Sequence, residues 1–307
     1  MKEIESPSRL AAAVGISAVV TAGFGWTEVL AGWCAALILT WLLGPVEIPE
    51  GDRGWQQIGL AMGGILLATA AVTTAEAAFP QDGTFPVVSL GALLLFYRAL
   101  VGTEWGNEGA ANVMGMLVLV MILGIEAAGL GNVRWSNLRP IGFCWENAIV
   151  TAGIACLLLG TGRAGQSPCW GIGAGGLCVG MSLITRGILG PYLTESLKIP
   201  MYRAMENIRV FGVTQRMEAL LSAAILMGSF AAMIYGGKII RKSGVIPFCG
   251  KGKAWGSGAA AVGIFLLEWC YRSAEAWVQT WMKAVFWGIM VITALGIVIS
   301  VKNAKKG

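Results

Sequence analysis

A chain of 307 residues that is 56% apolar and only 13% charged, with a mean hydropathy of +0.70, cannot build a water-facing surface, since soluble domains carry about 25% charged residues. The net charge of +5 calls for no nucleic-acid partner, because basic loops facing anionic lipid account for it. With no histidine, the commonest metal ligand and neutral-pH proton relay are missing, and any proton traffic falls to carboxylates.

The polar start Met1 to Arg9 leads into an apolar run with no convincing cleavage site behind it, so the first helix is expected to stay. Uncharged stretches follow, among them Leu10 to Thr27, Gly54 to Ala75, Ala164 to Thr185, Ala219 to Gly237 and Ala284 to Val301. Each is long enough to cross about 30 Å of hydrocarbon as helix. Apolar runs between polar or Gly/Pro breaks predict about ten spans, near 10–26, 28–44, 55–79, 85–102, 109–130, 141–161, 168–193, 214–239, 256–272 and 278–301. The fold class is therefore an all-α membrane protein forming a single polytopic domain. With that count, Lys2, Arg9, Arg53, Lys238, Arg241, Lys242, Lys251, Lys253, Lys302, Lys305 and Lys306 share one side. Arg134, Arg139, Lys198, Arg203 and Arg209 lie on the other. Positive charge collects in cytoplasmic loops, so both termini are expected in the cytoplasm. The connection Glu195 to Val213 mixes apolar and charged residues, as a segment lying along the membrane surface or folding into a mouth would. Ser243 to Lys253 is a basic Gly/Pro loop. The 44 glycines and 13 tryptophans suit close helix packing and headgroup-level anchoring. The seven cysteines lie mostly inside apolar runs without C-x-x-C spacing, and read as packing residues.

The stretch P-M-Y-R-A-M-E-N-I-R-V-F-G-V-T-Q-R-M-E, from Pro200 to Glu218, then A-L-L-S-A-A-I-L-M-G-S-F, resembles the most recognisable segment of the spore germination permease family, the B subunits of germinant receptors. The matching positions are Pro200, Tyr202, Arg209, Gly212, Arg216 and Glu218. Upstream, W-S-N-L-R-P from Trp135 to Pro140 resembles the family's step into the sixth helix, and the resemblance runs from about Phe85 onward. The family belongs to the amino-acid-polyamine-organocation transporter superfamily. The resemblance thus implies two inverted five-helix repeats, here residues 1–140 and 141–307, with first and sixth helices broken near the midplane. It further implies a subunit in the inner membrane of a spore-forming bacterium that senses a small nutrient such as an amino acid. Its partners would be a lipoprotein and a large membrane subunit. Five being odd, a second copy starting near Ile141 enters from the opposite side, as an inverted repeat must.

Candidate residues follow from glycine clusters and from ionisable groups in apolar runs. Gly23-Phe24-Gly25 either breaks the first helix or makes the turn into the second, and Gly160-Thr161-Gly162 closes the sixth. Unwound backbone at Gly23, Gly25, Gly160, Thr161 and Gly162 would offer amides and carbonyls to a small zwitterion. Arg163 would meet a substrate carboxylate, or else sits at a cytoplasmic helix end. Glu76 beside Thr73 and Thr74 is a cation or proton candidate, with Glu126 a similar one. Glu146 and Asn147 would present a polar face to the ligand. Arg186, with Ser182 and Thr185, needs a buried partner. Arg216 and Glu218 are placed at an outer mouth as a gating or structural clamp, and Glu268 with Arg272 can pair one helical turn apart.

No P-loop, H-E-x-x-H, nucleophile elbow or metal cluster is present, so no enzymatic activity and no cofactor are expected. The G-I-G-A-G-G run from Gly171 to Gly176 matches G-x-G-x-x-G, but lies in an apolar span without a preceding strand, where helix packing explains it. Two other readings stay open: a cation-coupled amino-acid or small-solute transporter, and a non-transporting scaffold subunit.

Overall fold

The structure is a computed structural model that describes residues 6–43, 62–67, 69–70, 73–74, 104–139, 142–160, 169–197, 199–210, 213–214, 217–243 and 280–288. The expected spans at 85–102 and 256–272 lie outside these residues. Pro7 in the first turn of α1 (Ser6–Val20) occupies a position where its missing N–H costs nothing. α2 covers Trp26–Leu43, α3 Glu104–Leu130, and a 3-10 turn Trp135–Leu138 leads on to α4, Trp145–Gly160. α5 (Cys169–Leu189) is followed by the short α6 (Pro191–Ser196) and α7 (Pro200–Glu206), each opened by a proline in its first turn. α8 is Glu218–Ser243. Residues 62–67, 69–70, 73–74 and 280–288 are also helical. The one strand pairing among the described residues is an antiparallel hairpin, β1 (Arg209–Val210) on β2 (Val213–Thr214), with Val210 opposite Val213.

Asn112–Leu130, Cys169–Leu189 and Glu218–Gly237 are long and apolar enough to cross a membrane, while Pro7–Val20, Trp26–Leu42 and Trp145–Leu159 are shorter apolar helices. These helices divide by environment. α3 turns Val113, Met116, Val120 and Leu123 outward, an apolar face that hydrocarbon accepts and water does not. α1 is the reverse, buried nearly all round from Ser8 to Val20, which places it at the centre of the bundle against α3, α4, α5 and α8.

Close contacts at glycines fix the direction of each helix. Leu10 lies on Gly173 and Ser182 Oγ donates to Phe24 O, so α1 and α5 run the same way. Trp33 packs on Gly175 and Leu37 on Gly171, while Gly25 faces Arg186; α2 therefore runs opposite to α5. α1 and α2 form a helical hairpin astride α5. This answers one of the open alternatives: Gly23-Phe24-Gly25 is the reversal between two separate helices. The expected midplane break in the first helix is absent, because α1 is continuous from Ser6 to Val20. α4 likewise continues unbroken from Trp145 to Gly160; its one internal glycine, Gly153, packs against the Met282 backbone and not at a kink. α2 and α4 are parallel, with Gly32 against Ala148 and Ala152. α3 runs with α1, Gly115 meeting Pro7 and Gly129 meeting Ile184. α8 runs against α1, from the Gly228 contact with Gly15 to the Ser8–Tyr235 hydroxyl pair at 2.8 Å.

The near end of the bundle thus carries Ser6, the close of α2, the start of α3, the close of α4 and the start of α5. The far end carries the α1–α2 turn, the 3-10 turn, and α6 with α7. Exposed Trp135, Trp145 and Tyr192 gather at the far end, and exposed Trp41 lies at the near one, the two levels where amphipathic rings favour a membrane interface. The Glu195 to Val213 connection buries Met201, Tyr202, Met205 and Ile208 and exposes Arg203 and Glu206, which pair at 2.8 Å.

The tightest helix crossing is glycine on glycine: a Cβ on Gly15 would lie 2.7 Å from Gly228 Cα, an approach only glycine permits. Gly228→Val is expected to lower stability by about 1–3 kcal/mol through overpacking. Gly124→Ala, exposed and with nothing within 4 Å of its Cβ position, should raise stability or leave it unchanged, because alanine is the better helix former. Thermal unfolding of the detergent-purified variants, followed by tryptophan fluorescence, checks both.

Candidate functional site

The α1–α2 reversal is held by one carboxylate. Gly25 and Glu28 stand at the N-cap and third position of α2, the capping-box spacing, and the Gly25 N–H donates to Glu28 Oε2 at 3.1 Å. The same side chain reaches the start of α4. Cys144 N–H donates to Glu28 Oε1 at 3.0 Å, and Asn147 Nδ2 donates to Oε2 at 2.8 Å. Glu28 is 5% exposed, and three donors from two parallel helix N-termini compensate its charge, aided by both helix dipoles.

Arg186, 4% exposed, borders this knot. Its Nη1 lies 2.8 Å from the point where a Cβ on Gly25 would stand, and Glu28 Cδ lies 3.5 Å from the same point. Glycine at 25 is what lets the guanidinium settle beside the carboxylate. On its other side Arg186 Nη2 is 4.0 Å from Glu195 Oε1 at the end of α6. Its Nε is buried without a hydrogen-bond partner. The far end is knit further by Arg134 N–H to Gly187 O at 3.0 Å, Asn137 Nδ2 to Gly187 O at 3.0 Å and Trp26 Nε1 to Leu138 O at 3.2 Å. Gly190, at φ +81°, turns the chain from α5 into α6.

Beneath the reversal, between α1, α5 and α7, lies a cavity of about 10 Å³ lined in part by Ser17, Thr21, Ser182 and Thr185 and closed by Met201. That is room for about one water molecule, far below the ~300 Å³ and more of a site for a drug-sized ligand.

Of the residues singled out from sequence, Gly25, Asn147 and Arg186 meet in this knot, and Gly23 lies beside it, its Cβ position 3.5 Å from Thr194 O. Glu146 points away: its side chain is 72% exposed and paired with Lys283. Gly160 is the last residue of α4, about 20 Å along the axis from Asn147 at helical rise, so one pocket does not take in both glycine clusters. Glu126 extends from α3 onto Gly180 of α5, where its Oε1 is 2.6 Å from the Cβ position and has no hydrogen-bond partner. Glu218 opens α8, half-buried, with Oε2 unpartnered. Glu76, Thr161, Gly162, Arg163, Arg216, Glu268 and Arg272 lie outside the described residues. Among the described residues no group of three or more Cys, Asp or Glu is placed to hold a metal ion. Glu28 is the residue sequence reasoning missed, although the Gly25-x-x-Glu28 spacing announces it.

Set against known proteins, the chain matches no family model and no curated protein. The likeness of Pro200 to Glu218 to germination permeases therefore rests on those residues.

Because Glu28 serves three donors, Glu28→Ala leaves two helix starts and an asparagine unsatisfied and is expected to cost about 3 kcal/mol or more. Glu28→Gln, which keeps an acceptor, should cost less. Glu146→Ala, on an exposed pair, should leave the melting temperature close to wild type. Chemical unfolding of the three purified variants reads the order.

Proposed function

We propose that the chain is a permease-like integral membrane subunit of a spore germinant receptor, built as two inverted five-helix repeats and sensing a small nutrient such as an amino acid. The observation that carries the permease part is a match in helix pairing between the two halves. Taking α1 and α2 as the first two spans, α3 as the fifth, and α4 and α5 as the sixth and seventh, an inverted repeat exchanges α1 with α4 and α2 with α5. Under that exchange the parallel pair α1–α5 becomes α4–α2, which is also parallel and closely packed. The contact of α3 with α1 through Gly115 becomes one between the tenth span and α4, and helical residue Met282 meets Gly153 there. The repeats of this reading use continuous helices, with the hairpin turn in place of a midplane break.

Span parity supports the count of about ten. α2 ends and α3 begins at the near end, so an even number of crossings separates them, and two fit the roughly sixty residues between, at about 20 residues a crossing. The alternation also puts Arg9 at the same end as Lys238, Arg241 and Lys242, and Arg134, Arg139 and Arg203 at the other. The near end then faces the cytoplasm, with both termini. The germinant-receptor part rests on the Pro200 to Glu218 likeness, and the lipoprotein and large membrane subunit enter as partners on the same ground.

A specific observation favours a second reading, a scaffold subunit without a ligand. The buried carboxylate Glu28 is saturated, and the cavity next to it holds about one water.

Thermal stabilisation across amino acids, sugars and nucleosides tests the first reading, since a ligand that binds the folded state alone raises apparent stability. The expected outcome is a shift with one amino acid, abolished in Arg186→Gln and partly restored in Arg186→Lys. A folded, monodisperse sample that no ligand shifts, alone or with the partner subunits, moves the assignment to the scaffold. In spores, deletion of the gene should remove one nutrient response.

A further inference from the structure

The outward face of α3 leads to a turn that carries two unused cations. Val120, Leu123, Ala127 and Leu130 follow one another along α3 at spacings of three and four and are all exposed, which places them on one side of the helix. From Val120 to Leu130 this face is about 15 Å long at helical rise, half of the ~30 Å of hydrocarbon in a bilayer. It has the length of one leaflet. Beyond it Gly131 is exposed and has nothing within 4 Å of its Cβ position, which leaves a gap in the surface between the apolar face and the turn that follows.

Arg134 and Arg139 stand immediately before and after the 3-10 turn Trp135–Leu138. Both are exposed, and neither guanidinium has an ion pair or a hydrogen bond among the described residues. Other charges at this end are engaged: Glu195 with Arg186, Arg203 with Glu206 and Glu146 with Lys283, while Glu28 serves three donors. The turn itself is fixed. Arg134 N–H and Asn137 Nδ2 both donate to Gly187 O of α5, and Trp26 Nε1 of α2 donates to Leu138 O. Along a 3-10 axis the two arginines stand about 10 Å apart, a separation that two long side chains span. Trp135, Phe143 and Trp145 are exposed around them, the last two edge to face at 4.8 Å, and such rings favour the headgroup level of a membrane.

We propose that this surface binds an anionic phospholipid, with an acyl chain along the α3 face and the phosphate held by Arg134 and Arg139. Guanidinium groups form charge-assisted hydrogen bonds with phosphate oxygens, and basic residues at a membrane surface draw anionic lipid. A soluble acidic partner would meet the arginines and leave the α3 face below them uncovered. A zwitterionic lipid would cover the face, but its own ammonium competes for the phosphate. An anionic lipid answers both. The site stands whether the chain senses a nutrient or serves as a scaffold, since it uses α3 and the turn after it alone.

The full-length protein is melted in phosphatidylcholine nanodiscs with and without phosphatidylglycerol at fixed ionic strength, and the lipids it retains are identified by native mass spectrometry. Phosphatidylglycerol should raise the melting temperature saturably and be retained in preference to phosphatidylcholine. Arg134→Gln and Arg139→Gln should each lower that preference by about fivefold, and the double variant should lose the rise. Its melting in pure phosphatidylcholine should match wild type, because neither guanidinium bonds within the described protein. Arg203→Gln, which breaks an exposed pair at the same end, should keep the rise. Equal wild-type melting in the two lipids overturns the proposal. So does a double variant that keeps the lipid preference, which leaves the arginines to an acidic protein partner, or one that melts lower in pure phosphatidylcholine, which makes them structural. An equal rise with glycerol phosphate added to phosphatidylcholine nanodiscs also overturns it, and assigns the arginines to a free anion.

Discussion

The arrangement of the helices depends on a single buried carboxylate. Glu28 ties the first turn of α2 to the first turn of α4 through bonds to Gly25, Cys144 and Asn147. Two helices far apart in sequence thereby begin at one level, side by side and parallel. A charge costs several kcal/mol to remove from water unless donors replace the solvent. Here the donors are groups that helix starts leave unserved in any case. Two deficits cancel: an anion without water, and N–H groups without acceptors.

From that shared level the remaining geometry follows. α2 and α4 descend together, and α1 and α5 return in the opposite sense. The close approach of these helices is possible because glycine stands at nearly every crossing, Gly15 on Gly228, Gly32 on α4 and Gly175 under Trp33. In hydrocarbon no hydrophobic drive separates helix from lipid, and association comes from packing contact and polar bonds. A central helix such as α1, rich in alanine and glycine from Ala11 to Gly15, lets four neighbours approach. Its polar residues sit where they can be served: Ser8 by Tyr235 and Asn112, and Arg9 against the Trp170 and Tyr235 rings.

Apolar run lengths made the long described helices legible in sequence, because hydrocarbon thickness constrains length directly; the short α6 and α7 were not. Gly23 and Gly25 were legible as an interruption, but not as to kind. A helix break and a hairpin turn use the same glycines; the difference lies in the Glu28 cap and in whether α5 fits between the arms, a tertiary fact. Arg186 and Asn147 were legible as polar groups needing partners. That they share one neighbourhood was not, since they approach across 39 residues through a third element. Glu146 misled because an acidic residue beside Asn147 in an apolar helix suggests a common face. Adjacent helical positions diverge by about 100°, and Glu146 turns outward to Lys283.

The size of the cavity sets a condition on any sensing role. Its walls are α1 and α5, which the Ser182 bond to Phe24 O and the Leu10 contact on Gly173 hold together, and its cover is Met201 on α7. Moving α1 away from α5 would break the Ser182 bond to Phe24 O and open the contacts along a helix buried on all sides. α7 is a shorter, seven-residue helix that packs against α5 and α8. Displacing it exposes the cavity without disturbing the Glu28 knot. That displacement costs the burial of Met201, Tyr202 and Met205 and the Ser222–Tyr202 hydroxyl bond at 3.1 Å, in the same connection that carries the likeness to germination permeases. Access from the far end would act through that cover, with the α1–α2–α5 frame as its fixed support.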